Sequence, residues 1–160
     1  MPFRVLFVCS GNTCRSPLAE AIARHALAET NGFEVSSAGT FAEPGSVASS
    51  GSLEVARENG LDLEAFQSRP LSSALLDAAD VVVVMEPAHR SAVLGLQPLA
   101  DTKTFLLGEL SGLQGREASV PDPFGGPIES YRRTFQRLST LIRNGLPRLA
   151  ELAARKRGRT

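Results

Sequence analysis

Four short apolar segments recur along the chain, and polar, turn-forming residues separate each of them from the next element. We predict strands at residues 3–8, 33–37, 81–85 and 104–107. Residues 81–85 are apolar at every position, which is typical of a strand buried on both faces inside a parallel sheet. The last segment has the weakest strand pattern of the four.

Helical spacing of apolar residues fills the intervals between these strands. The predicted helices cover residues 17–30, 48–59, 71–78 and 87–95, and a final helix begins at Ile128. Ser16 and Pro17 are favoured at the N-cap and the first helical position, so we predict that the first helix begins there. Gly145 and Pro147 should kink or break the final helix, because proline removes a backbone donor and clashes with the preceding turn.

Alternating strands and helices predict an α/β fold: a single-domain, four-stranded parallel sheet with helices on both faces and right-handed crossovers. A chain of 160 residues is long enough for one such domain. We expect the domain to span residues 1–155 and the basic tail, residues 156–160, to be frayed. In folds of this kind, ligands bind at the carboxyl ends of the strands, where the strand order reverses.

The composition argues against several classes of function. The 17 basic and 17 acidic residues balance, which argues against a nucleic-acid-binding protein. No apolar run reaches membrane-spanning length, and the first residues do not resemble a signal peptide, so no membrane partner is expected. The two histidines, His25 and His89, are interpreted as isolated helix-face residues, and no metal or other cofactor is predicted. We expect a cytoplasmic protein with reduced thiols.

The loop after the first predicted strand carries the chemistry. A loop that leads into a helix N-terminus presents unpaired N–H groups and a positive dipole, so it can bind an anion. The guanidinium of Arg15 can hold two oxygens of the same anion. Gly11 and Asn12 accept the left-handed or bridge conformations that such a loop needs. The predicted phosphate-binding residues are Ser10, Gly11, Asn12, Thr13, Cys14 and Arg15.

Cys9 lies at the mouth of this loop, where the same positive field favours a thiolate. A thiolate that faces a captured phosphate is a nucleophile facing its substrate, which predicts phosphoryl transfer through Cys9. The alternative is a buried structural cysteine. The hydroxyl of Ser16 is placed to donate to the thiolate, and its alternative role is to cap the helix.

Phosphoryl transfer also needs a general acid for the leaving group. Asp122 is the candidate, because prolines on either side stiffen its loop. A simple Asp-Pro turn is the alternative. The carboxyl must be protonated in the first step and act as a base in the second. That requires a nearby apolar surface, which we expect Phe124 to provide.

Cys14 has two interpretations. It packs in the first turn of the helix, or it forms a reversible disulfide with Cys9 under oxidation and so protects the nucleophile.

Four motifs together resemble the low-molecular-weight protein tyrosine phosphatase family, in order and spacing over nearly the whole chain. They are residues 9–17, 37–40, 84–86 and 122–124. The resemblance implies a small α/β fold with a four-stranded parallel sheet, a metal-independent mechanism and a cysteinyl-phosphate intermediate. It implies that Cys9 is the nucleophile, Arg15 the phosphate clamp, and Asp122 the general acid and then the base. Ser16 would stabilise the thiolate.

The resemblance also implies that Asn12 holds the loop through hydrogen bonds involving Ser16 and Ser37. One departure concerns this network. The family often has a supporting histidine at the position that aligns with Phe66, and phenylalanine can neither donate nor accept there. We therefore expect a weaker or rewired network.

A second departure bears on the substrate. Thr13, together with the Asp-Pro-Phe-Gly-Gly sequence that begins at Asp122, is similar to the bacterial branch that removes phosphate from protein arginine. The resemblance predicts hydrolysis of phosphotyrosine-type phosphoproteins, with protein-arginine phosphatase activity as the alternative. In either case the partner is a phosphorylated protein, and Thr13, Phe41 and Phe124 are the candidate residues of the substrate cleft.

An arsenate reductase on the same scaffold is a second alternative. Reductases coupled to thioredoxin need two further cysteines to relay a disulfide after the nucleophile has reacted, whereas this chain has only Cys9 and Cys14.

Overall fold

Four parallel strands form a single sheet in the order β2-β1-β3-β4 in the computed structural model, which describes residues 1–159. The strands are β1 (Phe3–Cys9), β2 (Phe33–Gly39), β3 (Val81–Val84) and β4 (Thr104–Leu106). All three strand pairings are parallel. The predicted α/β fold, with a four-stranded parallel sheet, is therefore confirmed.

Five α-helices connect and follow the strands. They are α1 (Arg15–Ala26), α2 (Ser50–Glu58), α3 (Ser73–Ala78), α4 (Pro87–Leu96) and α5 (Ile128–Gly158). Short 3-10 helices, which the sequence pattern did not predict, lie at Pro98–Lys103, Leu107–Ser111 and Gly115–Ala118. Within residues 1–159, no helix is both long and apolar enough to span a membrane.

The sheet is buried on both faces, as the apolar strands predict. Val5 and Phe7 of β1 belong to the core cluster that includes buried residues of α1, α2 and α5. Leu6 and Val8 belong to a second cluster, which includes buried residues of α3 and α4. Because β2 and β3 flank β1 on opposite sides, the strand order reverses at β1. Cys9 ends this central strand, at the position where such sheets bind ligands.

Two predictions about helix ends and breaks are wrong. Helix α1 begins at Arg15 with Cys14 at its N-cap, and no side chain caps it. Ser16 lies inside the first turn, and its hydroxyl contacts Cys9 and Asn12 instead of capping the helix. Helix α5 continues through Gly145 and Pro147 without a break. Buried apolar residues on both sides of Pro147 belong to one core cluster, so tertiary packing outweighs the local proline cost.

The boundary of the basic tail also differs from the prediction. Helix α5 enters the expected frayed tail, residues 156–160, and ends at Gly158. Lys156 stabilises this extension with an ion pair to Asp80, at 2.8 Å between Nζ and Oδ1. Thr160 lies outside the described residues.

Candidate active site

The loop between β1 and α1 turns at Asn12, whose φ is +54°. It is the one non-glycine residue among residues 1–159 with a positive φ. Gly11 is not in the left-handed region, so Asn12 alone supplies the unusual backbone conformation that we expected from the pair. Asparagine tolerates this region better than most side chains do, because its short amide can form local hydrogen bonds.

The fully buried side chain of Asn12 fixes this turn. Its Nδ2 donates to Ser16 Oγ at 2.7 Å and to Ser37 Oγ at 3.0 Å. Its Oδ1 accepts from the backbone N–H of Arg69 at 2.9 Å. Ser37 Oγ then donates to Glu20 Oε1 at 2.9 Å. The structure therefore brings together the three side chains that the resemblance groups around this loop.

The network is rewired at the position where the family often has histidine. Phe66 is half-buried and packs against the core. Glu20 and the backbone of Arg69 provide the polar contacts instead. Glu20 was missed in the sequence, although it lies one helical turn after Ser16 and so on the same helix face. The backbone N–H of Arg69 has no side-chain signature.

Gly39, at the end of β2, allows the strand to approach the loop closely. A Cβ atom added there would lie 2.5 Å from the carbonyl oxygen of Ser10 and 2.9 Å from Cβ of Asn12. The next two residues bind the loop through their backbones. Thr40 N donates to Cys9 O at 3.0 Å, and Phe41 N donates to Ser10 O at 2.9 Å.

The thiol of Cys9 is buried beneath this loop, with 2% exposure. Its Sγ lies 3.0 Å from Ser16 Oγ. Because Asn12 Nδ2 already donates to Ser16 Oγ, the hydroxyl proton of Ser16 is left to point at the sulfur. The Ser16 hydroxyl is therefore placed to donate to Cys9 Sγ.

Arg15 is buried with one guanidinium edge held in place. Its Nη1 donates to the carboxylate of Glu86 and, at 2.8 Å, to the carbonyl oxygen of Val120. Its Nη2 lies 3.7 Å from Asp122 Oδ2. Its Nε is buried and has no hydrogen-bond partner among the described residues. An unsatisfied buried donor costs about 1–3 kcal/mol, and a phosphate oxygen would remove that cost.

Asp122 combines the two interpretations that its sequence left open. Its Oδ1 accepts from the backbone N–H of Phe124 at 3.0 Å, which closes a turn, and its Oδ2 faces Arg15. The side chain of Asp122 is 46% exposed, and Phe124 is 73% exposed. Phe124 therefore does not enclose the carboxyl group in an apolar surface, contrary to the expectation from sequence.

Three candidate cleft residues differ in exposure. Phe41 is 88% exposed and binds the loop through its backbone N–H, so its ring is free to contact a substrate. Phe124 is likewise exposed beside Asp122. Thr13 is half-buried within the loop. Its Oγ1 has a single long contact among residues 1–159, 3.9 Å to Cys14 Sγ.

Cys14 is buried at the start of α1 and packs against hydroxyl groups. Its Sγ donates to Ser49 Oγ at 3.3 Å and lies 3.8 Å from the Tyr131 hydroxyl. Burial raises the pKa of Tyr131, and its contact with Cys14 contributes in the same direction. Both cysteines are free thiols, and the disulfide between Cys9 and Cys14 stays a prediction.

The interpretation of His89 as an isolated helix-face residue is wrong. His89 is 3% exposed, and its Nε2 lies 2.9 Å from Ser10 Oγ. The sequence does not reveal this contact, because Ser10 and His89 are far apart along the chain. They meet only because β3, which precedes α4, lies beside β1 in the sheet. Burial and, to a lesser extent, the charge of Arg15 lower the pKa of His89 to about 4, although Glu86 and Asp122 act in the opposite direction.

A buried thiol and a guanidinium lie together at the reversal point of a parallel sheet, an arrangement suited to binding a phosphate group. A model of the low molecular weight phosphotyrosine protein phosphatase family matches residues 4–157. The chain therefore belongs to this family and is a phosphatase of its type.

Similar proteins include members named for two different substrates. A protein-arginine-phosphatase of Geobacillus stearothermophilus is 42% identical over 151 residues, which cover 94% of this chain and 96% of the relative. The low molecular weight protein-tyrosine-phosphatase PtpB of Staphylococcus haemolyticus is 37% identical over 139 residues, which cover 87% of this chain and 94% of the relative.

Solved structures of both an arginine phosphatase and a tyrosine phosphatase are similar to this chain. An arginine phosphatase from Geobacillus stearothermophilus has a TM-score of 0.82 at 39% identity, and the match covers 99% of this chain and 95% of that one. A low molecular weight protein tyrosine phosphatase from T. tengcongensis has a TM-score of 0.84 at 40% identity, with coverage of 90% and 97%.

The first prediction concerns the close approach at Gly39. Gly39→Ala should lower the free energy of unfolding by about 1–3 kcal/mol, as other overpacking substitutions do, and should slow hydrolysis of an aryl phosphate. Gly95→Ala in helix α4 is the control for an uncrowded Cβ, which meets nothing within 4 Å there, and it should raise stability by about 1 kcal/mol through helix propensity. Urea unfolding and initial rates measure both effects. Wild-type behaviour of Gly39→Ala would show that the loop yields to β2 without cost.

The second prediction concerns acid stability. The pKa of His89 is lowered from 6.5 to about 4 in the folded protein, so the unfolded chain takes up this proton first as the pH falls. The stability of wild type relative to His89→Gln should therefore decrease as the pH is lowered from about 6.5 to about 4. Urea unfolding across this range measures it, with His25→Asn as the control at the other, exposed histidine. A pH-independent difference would contradict the assignment.

Proposed function

We propose that this phosphatase removes phosphate from arginine side chains of proteins. The supporting observation is the 42% identity to a protein-arginine-phosphatase over 94% of the chain. From the sequence alone, phosphotyrosine was the expected substrate and phosphoarginine the alternative. The similarity favours the alternative.

The first chemical step forms a bond between sulfur and phosphorus. The Cys9 thiolate attacks the phosphorus atom while loop N–H groups and the free Nε of Arg15 bind the phosphoryl oxygens. The bond between phosphorus and the guanidino nitrogen breaks, and Asp122 gives its proton to that nitrogen. Arginine leaves, and a cysteinyl phosphate stays on the enzyme.

The second step releases phosphate. Asp122 takes a proton from water, and the water oxygen attacks phosphorus. The bond to sulfur breaks and its electron pair returns to Cys9. The Ser16 hydroxyl, 3.0 Å from Sγ, stabilises the departing thiolate.

Charge at the mouth of the site suits a guanidinium leaving group. Asp122 is exposed on one side and therefore accessible to the leaving guanidino group. Thr13 contributes a small side chain whose hydroxyl has only the long contact to Cys14. A bulky aliphatic side chain at this position would instead pack against an aromatic ring.

Phosphotyrosine is the second candidate substrate. The exposed rings of Phe41 and Phe124 are able to flank a phenol ring, and tyrosine phosphatases are also among the similar proteins. Arsenate reduction is not proposed, because the relay expected of a thioredoxin-coupled reductase needs cysteines beyond Cys9 and Cys14.

The third prediction tests the substrate. Wild type should have a higher kcat/KM for a phosphoarginine peptide than for a matched phosphotyrosine peptide. Thr13→Ile should lower that ratio about tenfold or more, equivalent to losing roughly one hydrogen bond to the guanidinium. Initial rates of phosphate release measure it, and Cys9→Ser, inactive on both peptides, controls for contaminating phosphatases. A phosphotyrosine preference that Thr13→Ile leaves unchanged would assign the enzyme to the second candidate.

The fourth prediction tests Asp122. Asp122→Ala should slow hydrolysis of esters with poor leaving groups by about a hundredfold or more, the usual contribution of a general acid. Esters with good leaving groups should lose much less, because their oxygen departs without a proton. Single-turnover rates for a series of aryl phosphates separate the cases. An equal loss across the series would remove Asp122 from the general-acid role.

A further inference from the structure

Contacts from several elements hold the loop between β1 and α1, which we call the phosphate loop, and one of these contacts comes from α4. The hydrogen bonds of the Asn12 side chain hold the buried side of the loop. Thr40 and Phe41, which follow β2, bind its backbone. The backbone N–H of Ser49, just before α2, donates to the carbonyl oxygen of Thr13 at 2.8 Å. The contact from α4 is the 2.9 Å hydrogen bond between Ser10 Oγ and His89 Nε2. Among residues 1–159 it is the only hydrogen bond of the Ser10 hydroxyl.

The direction of this hydrogen bond is set by the other ring nitrogen. His89 Nδ1 lies 3.1 Å from the backbone nitrogen of Glu86 and accepts its hydrogen. A neutral imidazole with an acceptor at Nδ1 carries its proton at Nε2. His89 therefore donates to Ser10 Oγ.

The charge state of His89 agrees with this geometry. The charged groups that act on it are Arg15 from α1, Glu86 from the turn before α4, and Asp122 from its own loop. With burial they leave the pKa of His89 at about 4, so the ring is neutral at pH 7. A second ring proton would face the Glu86 N–H and break the arrangement.

We infer that His89 is a positioning residue of this phosphatase, which holds Ser10 so that the loop amides stay directed at the bound phosphate. The inference rests on the proposed role of residues 10–15 in phosphate binding. The same turn also presents Glu86 to the Arg15 guanidinium. One short segment thus sets both parts of the anion site, the amide loop through His89 and the guanidinium through Glu86.

A purely structural role for His89 would be to cap α4 through the Glu86 N–H. Asparagine and glutamine separate the two roles, because each reproduces one ring nitrogen. The Oδ1 of asparagine corresponds to Nδ1 and can still accept from Glu86, but its amide is too short to reach Ser10. The Nε2 of glutamine corresponds to the ring Nε2 and can still donate to Ser10.

The fifth prediction uses this difference. His89→Asn should lower kcat/KM for an aryl phosphate about tenfold and raise the inhibition constant of inorganic phosphate by a similar factor, because one orienting hydrogen bond is lost. In His89→Gln, both kcat/KM and the inhibition constant should stay close to the wild-type values. His25→Asn, at the exposed histidine, should match wild type. Wild-type constants for His89→Asn, or a larger defect in His89→Gln than in His89→Asn, would overturn the inference in favour of a helix cap.

Ser10→Ala tests the same contact from the other side and leaves the α4 cap intact, so it decides the matter if a His89 variant fails to fold. It should reproduce the His89→Asn defect, and the double variant should be no worse than either single one. Additive losses, or an unchanged inhibition constant in Ser10→Ala, would overturn the inference. Aryl phosphate and inorganic phosphate are common to both candidate substrates. The result is therefore separate from the choice between phosphoarginine and phosphotyrosine.

Discussion

The left-handed turn at Asn12 is the constraint on which the rest of the site depends. A non-glycine residue in this conformation costs roughly 1–2 kcal/mol, and here it lies in a fully buried position. The three hydrogen bonds of its side chain offset that cost, each contributing about 0.5–1.5 kcal/mol. Because those bonds end on α1, β2 and the Arg69 backbone, the turn is stable only when the surrounding fold is complete. The phosphate loop is therefore a product of tertiary structure, although its residues are contiguous.

The buried positive charge of Arg15 is a second constraint on the fold. A buried guanidinium without partners would be very unfavourable, so the fold surrounds it with Glu86, Asp122 and the carbonyl of Val120. These groups come from segments far apart in sequence that converge at the carboxyl ends of the strands. They hold the cation in place before any anion arrives, which reduces the reorganisation needed on binding.

The sequence was sufficient for the architecture and for the residues of the loop. Strand and helix periodicity predicted the parallel sheet, and the spacing of Cys9 and Arg15 predicted an anion site. It was insufficient wherever partners are set by strand order: His89 reaches Ser10 only because β3 lies beside β1. Backbone partners such as Arg69 N leave no mark on residue type. The N-cap prediction for Ser16 is wrong, whereas its hydroxyl contacts Cys9 as the sequence predicted and also accepts from Asn12.

Helix α5 covers one face of the sheet and is the last element of the described chain. Every residue of the site, from Cys9 to Phe124, precedes it in the order of synthesis. On the ribosome, the nascent chain therefore contains the whole candidate catalytic set while the core cluster of Val5 and Phe7 still lacks the residues that α5 contributes. Until α5 arrives, the apolar residues of that incomplete cluster are a target for chaperones and for aggregation.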